Sequence, residues 1–284
     1  MNVLIKLNEA IPRNHHQKKT EIYVTRAGKN LAPLLGGQIE MDFTRIDELK
    51  SKLKSLRTLN ETELKRLREE FMIENTYNSN AIEGNTLTLR ETALILQQGI
   101  TIEGKHVREH LEAIGHKDAF YHMLELADAK NPLTERSIKE LHSLVLMNDA
   151  KNKGVYRTVE VAIVGAVHNL TPPYMIQEQM DALLGEYENT KRGKHIIEAV
   201  AEFHLRFEGI HPFIDGNGRT GRLIINLELV KEGFLPVNIK FTDRRKYYDC
   251  FDSYYSYART TEPLTQMILA YEEEEIWRYV KKLS

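Results

Sequence analysis

A mainly α-helical fold is predicted by three features of this chain. Apolar residues recur at steps of three and four through most of its length, capping residues separate those runs, and one stretch alone alternates convincingly like a strand pair. With 284 residues, 42% hydrophobic and 28% charged, the chain is long enough to bury a sizeable core in one large domain or two small ones.

Residues 1–42 differ from the rest. A polar stretch from Arg13 to Lys19, a short β-like run Glu21-Ile22-Tyr23-Val24 and the turn-rich Leu35-Gly36-Gly37 read as an irregular N-terminal arm. His15 and His16 are adjacent in a Lys-rich stretch and read as solvated, not as a metal pair. From Phe43 the period is helical, with Ile46, Leu49, Leu53 and Leu56 on one face. Asn60 is a predicted N-cap for a second helix bearing Leu64, Leu67, Phe71 and Ile73, which Gly84 and Asn85 would end. Thr88 and Glu91 form a capping box for a short helix ending near Gly99. A long helix is expected from about His106 to Ala129, broken by Asn131-Pro132, and another from about Thr134 to Met147. Val159, Val161 and Ile163 then alternate with Glu160 and Ala162 before Gly165, His168 and Thr171-Pro172-Pro173, the pattern of a β-hairpin. Five helices are expected beyond it, at about 175–188, 194–207, 216–232, 243–258 and 263–281.

The bulk numbers exclude little and imply a cytoplasmic protein. A net charge of −2 gives no general pull toward nucleic acid or anionic membrane. The single cysteine, Cys250, allows no internal disulfide and points to a reducing compartment. It lies in KYYDCFDSYY with no neighbouring histidine and reads as a small buried residue. The N-terminus lacks the pattern of a signal peptide, and no window approaches the apolar length of a membrane span.

Chemistry concentrates in FHLRFEGIHPFIDGNGRTGRLIIN, residues 203–226, where a polar Gly-rich loop leads into a helix that is apolar nearly all round. Gly216 and Gly218 let backbone amides approach a ligand closely, and the start of a helix favours an anion. Arg219 and Arg222, three apart, leave one helix face as paired forks suited to phosphate. Asp215 is the hard oxygen ligand that Mg²⁺ prefers, and His211, held by Pro212, suits proton abstraction near neutral pH. A base, a metal ligand, an anion cradle and two cations in twelve residues match phosphoryl-type transfer.

HPFIDGNGRTGR resembles the active-site motif of Fic-domain proteins, HPFx(D/E)GNGRxxR, with every position filled. The likeness extends from about Asn75 to Tyr255. It implies a Fic helical bundle with a β-hairpin flap, divided into an arm (1–42), a helical region with an inhibitory motif (43–100), the Fic core (101–260) and a C-terminal helix (261–284). The resemblance implies transfer of AMP from ATP to a Ser, Thr or Tyr hydroxyl of a target protein. His211 would be the base, Phe213 would fix the loop, and Asp215 would hold Mg²⁺ on the α- and β-phosphates. Gly216, Asn217, Gly218, Thr220 and Gly221 would surround the phosphates, while Arg219 and Arg222 would grip the β- and γ-phosphates. Tyr247, Tyr248 and Tyr255 would line the nucleoside pocket. Gly154-Val155-Tyr156-Arg157 and the hairpin resemble the Fic flap, whose edge (Val161, Ile163, Val164, Gly165) would pair with an extended target segment.

Ser79-x-x-x-Glu83-Gly84 resembles the family's inhibitory motif (S/T)xxxE(G/N), in the class that carries it on a helix before the core. There the glutamate pairs with the second arginine, here Arg222, and blocks productive nucleotide binding. Self-modification and a homo-oligomer both lie within the family's range. Three other readings stay open: removal of AMP with Glu83 placing the water, a different nucleotide donor, and a non-enzymatic regulatory binding module. Some members bind DNA through a C-terminal winged helix, but only one helix is expected after Pro263, so neither a nucleic-acid nor a membrane partner is expected.

Overall fold

Local capping sets the first helices. Asn60 Oδ1 accepts from the Glu63 amide (2.9 Å) while the Glu63 carboxylate accepts from the Asn60 amide (3.0 Å). Thr88 and Glu91 make the same reciprocal pair (3.2 and 2.7 Å). Such caps satisfy amides that the first turn leaves orphaned and contribute about 1 kcal/mol each. The structure is a computed structural model that describes residues 41–55, 60–162, 169–256 and 259–283. Its α-helices are α1 (Thr44–Ser55), α2 (Glu61–Ile82), α3 (Leu89–Gln98), α4 (Val107–Ala129), α5 (Glu135–Val145), α6 (Ile176–Gly193), α7 (Ile196–Ile210), α8 (Asn217–Lys231), α9 (Arg244–Tyr255) and α10 (Glu262–Leu283). Residues 44–283 cluster as one unit.

The mainly α expectation holds, and no strand occurs among the described residues. Of the expected hairpin, residues 159–162 carry no strand, while Ile163, Val164, Gly165 and His168 lie outside the described residues. Residues 1–40 of the arm, with its two histidines, also lie outside them. Two helices run longer than expected. α6 continues to Gly193, where Lys191 reaches the fully buried Glu228 of α8 (3.0 Å). α7 continues to Ile210, because Phe207 and Ile210 belong to the core.

α8 is the axis of the bundle, with α7, α4, α5 and α2 packed around it. Leu223, Ile224, Ile225, Leu227 and Leu229 are all buried, so the helix shows no polar face. Its polar residues are paired: Asn226 brackets the Val237 backbone (2.8 and 3.1 Å), and Glu228 accepts from the Tyr187 hydroxyl (3.1 Å). α10 closes one side through a two-pronged Arg278–Glu74 pair (2.6 and 2.9 Å) and an Arg45–Glu273 contact. Cys250 is buried, and burial pushes its thiol up to about 11, an inert residue as the sequence implied. Among the described residues no helix is long and apolar enough to cross a membrane.

Two consequences for stability follow. At Gly115, where α4 meets α5, an added Cβ would lie 2.4 Å from the Leu144 carbonyl oxygen, and backbone cannot swing aside. Gly115→Ala is expected to lower stability by about 1–3 kcal/mol, read as a lower urea midpoint at unchanged slope. On α10, burial pushes the Glu272 carboxyl up to about 8, although its Oε1 accepts from the Leu235 amide (2.8 Å). Folded protein therefore keeps a proton that the unfolded chain has already released. That contribution is complete below the ordinary glutamate value and is lost as pH rises through about 8. In melts across about pH 5–9, Glu272→Gln is expected to decline less toward the alkaline side than the wild type.

Candidate active site

α7 delivers His211 to its own end. His211 caps the helix in the left-handed region (φ 49°), donating its amide to the Phe207 carbonyl (2.9 Å). The buried guanidinium of Arg157 fastens this turn, donating to the His211 carbonyl from Nε (2.8 Å) and to the Val159 carbonyl from Nη1 (3.0 Å). The Arg157 amide donates to the Pro212 carbonyl (2.9 Å), so the segment leading toward 163–168 is tied directly to the loop. Phe213 is fully buried and stacks on His142 at 3.6 Å and 5°. Gly154 donates its amide to His142 Nδ1 (2.8 Å), which leaves the proton on Nε2 to donate to the Asp215 carbonyl (2.9 Å). Burial pushes His142 down to about 4, consistent with that neutral ring.

The loop then turns into α8. Gly216 has φ 78°, a conformation that favours glycine, and a Cβ there would crowd Val145 and His142. Asn217 clasps the Phe213 backbone from both sides, accepting from its amide (2.9 Å) and donating to its carbonyl (2.8 Å). Its side chain is thus spent on the loop, and what it offers an anion is its amide, with those of Gly218 and Arg219 in the first helical turn. No side chain caps this turn. Arg219 is 1% exposed, pairs with Asp215 Oδ1 (3.1 Å), has the Glu112 carboxylate 3.8 Å from Nη1, and leaves Nε buried with no acceptor among the described residues. Buried guanidinium donors without partners mark a place shaped for an anion.

Asp215 stays partly open, its side chain 44% exposed, with Arg108 at 3.4 Å from Oδ2. Among the described residues no three His, Cys, Asp or Glu side chains converge. A single carboxylate beside a phosphate cradle nevertheless fits Mg²⁺, which takes most of its ligands from phosphates and water.

Arg222 connects the loop to α2. It is buried, and its Nε donates to Ser79 Oγ (3.0 Å). Its Nη2 donates to the Ser79 carbonyl (2.8 Å) and to Glu83 Oε1 (2.8 Å). Burial opposes its charge, but Glu83 and the Tyr247 oxygen more than offset this and raise its pKa. Glu83 sits at the C-cap of α2, followed by Gly84 at φ 96°. Its carboxylate presses on the start of α8: a Cβ on Gly218 would lie 2.2 Å from Glu83 Oε1. An anionic group of the protein's own therefore stands at the anion cradle.

The tyrosines divide. Tyr247 is buried, its hydroxyl 2.6 Å from His204 Nε2 and 3.4 Å from Arg222 Nη1. Tyr255 donates to the Leu205 carbonyl (2.6 Å) and lines a separate cavity of about 340 Å³ with Arg206 and Gly209. Tyr248 keeps an exposed ring, 39% accessible, beside Arg244. Thr220 and Gly221 are buried on the inner face of α8. Val161 is described but in no strand. Sequence reasoning passed over Arg108, Glu112, His142, His204 and Glu208, and named Arg157 only within the flap-like stretch. The signal at Glu112, His142, His204 and Glu208 was charge or imidazole at positions the helical period assigns to the interior, whereas Arg108 is exposed.

A profile of the Fic/DOC family matches residues 132–229. The chain is 31% identical over 264 residues to protein adenylyltransferase fic-1 of Caenorhabditis briggsae, covering 92% of this chain and 51% of that protein. It spans about half the length of the curated relatives it matches. Among solved structures, it is similar to a segment of Fic-1 from Caenorhabditis elegans, with TM-score 0.74, 31% identity, and 84% of this chain and 71% of that one covered. It is also similar to a Fic-domain signalling protein from Bacteroides thetaiotaomicron, with TM-score 0.75, 29% identity, and 84% and 97% covered. With the complete HPFIDGNGRTGR loop set between α7 and α8 as described, the chain belongs to the Fic/DOC family.

Proposed function

We propose that this chain transfers AMP from ATP to a Ser, Thr or Tyr hydroxyl of a protein, and that Glu83 holds the reaction down. One observation carries the reading. The amides that open α8 and the buried guanidinium of Arg219, whose Nε has no acceptor among the described residues, form an anion site at the end of the loop that begins with His211. The names of the curated relatives support the same activity.

In this reading His211 takes the proton of the target hydroxyl as its oxygen attacks the α-phosphorus. The bond from that phosphorus to the bridging oxygen breaks, pyrophosphate leaves, and AMP remains esterified to the target. Arg219 and Arg222 neutralise the β- and γ-phosphates. Asp215 would hold Mg²⁺, which supplies further neutralisation of the phosphates when bound. Tyr248 is the tyrosine of the three whose ring stays open to a nucleoside. The edge comprising Val161, Ile163, Val164 and Gly165 would dock the target as an added strand. Residues 43–100 then carry the brake, 101–260 the catalytic core and 261–284 a supporting helix, with residues 1–42 an arm of unassigned role. Glu83 competes with the nucleotide for Arg222, so the ion pair and productive ATP binding exclude one another.

Incubating Glu83→Gly protein and cell extract with Mg²⁺ and ATP labelled at either the α- or the γ-phosphate tests the reaction type. Label from the α-position alone on protein is the expected result. Label from the γ-position would mean phosphorylation instead. No label, with ATP bound, would favour AMP removal or another donor.

A further inference from the structure

One carboxylate near the base has no role in the reaction as written above. Glu208 lies three residues before His211 on α7, so the two side chains share a face. Its side chain is 12% exposed, and Oε2 lies 3.6 Å from His211 Nδ1. Among the described residues, neither Glu208 Oε1 nor His211 Nδ1 has a hydrogen-bond partner. A buried carboxylate without donors is costly, and a ring nitrogen without a partner leaves its tautomer undetermined. Each group is the nearest remedy for the other. At 3.6 Å the contact is not yet a hydrogen bond, and a side-chain adjustment of well under 1 Å would make it one.

The surroundings keep Glu208 for this purpose. α8 meets it at Gly221, where a Cβ would come 3.0 Å from Glu208 Oε1 and 2.6 Å from His204 Nδ1. No side chain of α8 intrudes between them. His204, one turn earlier on α7, is neutral, since burial pushes it down to about 4. The Tyr247 hydroxyl lies 2.6 Å from its Nε2, and its Nδ1 flanks Gly221 together with Glu208 Oε1. The carboxylate thus faces two imidazoles, His204 and His211. The other groups acting on it are Arg222 from α8 and the hydroxyls of Tyr247 and Tyr255 from α9. Arg157 engages His211 only through its backbone carbonyl. Burial raises the Glu208 pKa, but the contact with His211 and the positive charge of Arg222 outweigh this and hold it below the ordinary value. It remains an anion at neutral pH.

We propose that Glu208 is the positioning residue of the catalytic base. Its carboxylate takes the Nδ1–H of His211, which leaves Nε2 bare for the target hydroxyl, and it stabilises the imidazolium once that proton arrives. The hydroxyl proton goes to Nε2, Nδ1 keeps its own, and Glu208 stays ionised throughout. The catalytic part rests on the AMP-transfer reading; the electrostatic part does not.

The test compares Glu83→Gly protein with its Glu208→Gln and Glu208→Asp derivatives, folding being checked by thermal melts. AMP transfer is followed against pH, ATP affinity by calorimetry, and the His211 titration by NMR, with the signal assigned through His211→Ala. Glu208→Gln is expected to lower kcat by about 10- to 100-fold at unchanged ATP affinity. The His211 midpoint is expected to fall by about one pH unit, because a carboxylate partner favours the imidazolium. Glu208→Asp should recover part of both losses, and it carries the same titration comparison should the Gln variant not fold. An unchanged midpoint and unchanged kcat would overturn the proposal. Absence of transfer in every variant would instead count against the AMP reading, while the titration still decides the role of Glu208.

Discussion

In a Glu83→Gly background, His211→Ala is expected to lower AMP transfer by about 10²- to 10⁴-fold, the range of a positioned general base. ATP affinity should not change. The contacts that shape the turn use the His211 backbone: its amide donates to Phe207 and its carbonyl accepts from Arg157. Alanine keeps both. The strain of a left-handed residue at this position is already present with histidine, at φ 49°. Among the described residues the ring meets the Glu208 carboxylate, and it takes no part in the amide cradle or the Arg219–Asp215 pair. Binding and chemistry therefore separate cleanly. Single-turnover transfer from α-labelled ATP reports the chemical step, and calorimetry reports binding. Undiminished transfer at equal ATP affinity would remove His211 as the base.

What the sequence made legible was local, and what it concealed was long-range. Asn60 and Thr88 start helices by bonding residues three positions on, and both caps are found where expected. The end of α6 was misjudged because it depends on Glu228, 37 residues from Lys191. Residues 211–222 could be picked out because one contiguous segment carries the histidine, the turn and both arginines. The frame around them could not. Arg108, His142 and Glu208 reach the loop from α4, α5 and α7, and each alone resembles an ordinary helix residue, while Arg157, named only within the flap-like stretch, reaches it from the segment after α5. Tyr247 shows the limit from the other side. The resemblance assigns this tyrosine to a nucleoside pocket, yet burial on His204 and Arg222 occupies its hydroxyl. A composition rich in tyrosine does not say which rings face inward.

Removing the Glu83 carboxylate is expected to move two quantities in opposite directions. Transfer should rise by about 5- to 150-fold, the usual range for a coupling of 1–3 kcal/mol between two sites, while the unliganded protein melts at a lower temperature. Arg222 does not depend on Glu83 for its position, since Ser79 accepts from its Nε and Nη2 (3.0 and 2.8 Å). In Glu83→Gly the guanidinium therefore stays where it is, buried and without its carboxylate. Loss of one charge-assisted bond costs about 2 kcal/mol, or about 3–4 °C at this chain length. A γ-phosphate meets the same cation and supplies the missing charge, so saturating ATP should restore much of that loss. The wild type, whose cation is already paired, should gain less from ATP. Melts of both proteins with and without ATP, set beside their transfer rates, test the exchange directly. Equal ATP-induced shifts together with equal transfer would mean that Glu83 and the nucleotide do not compete for Arg222.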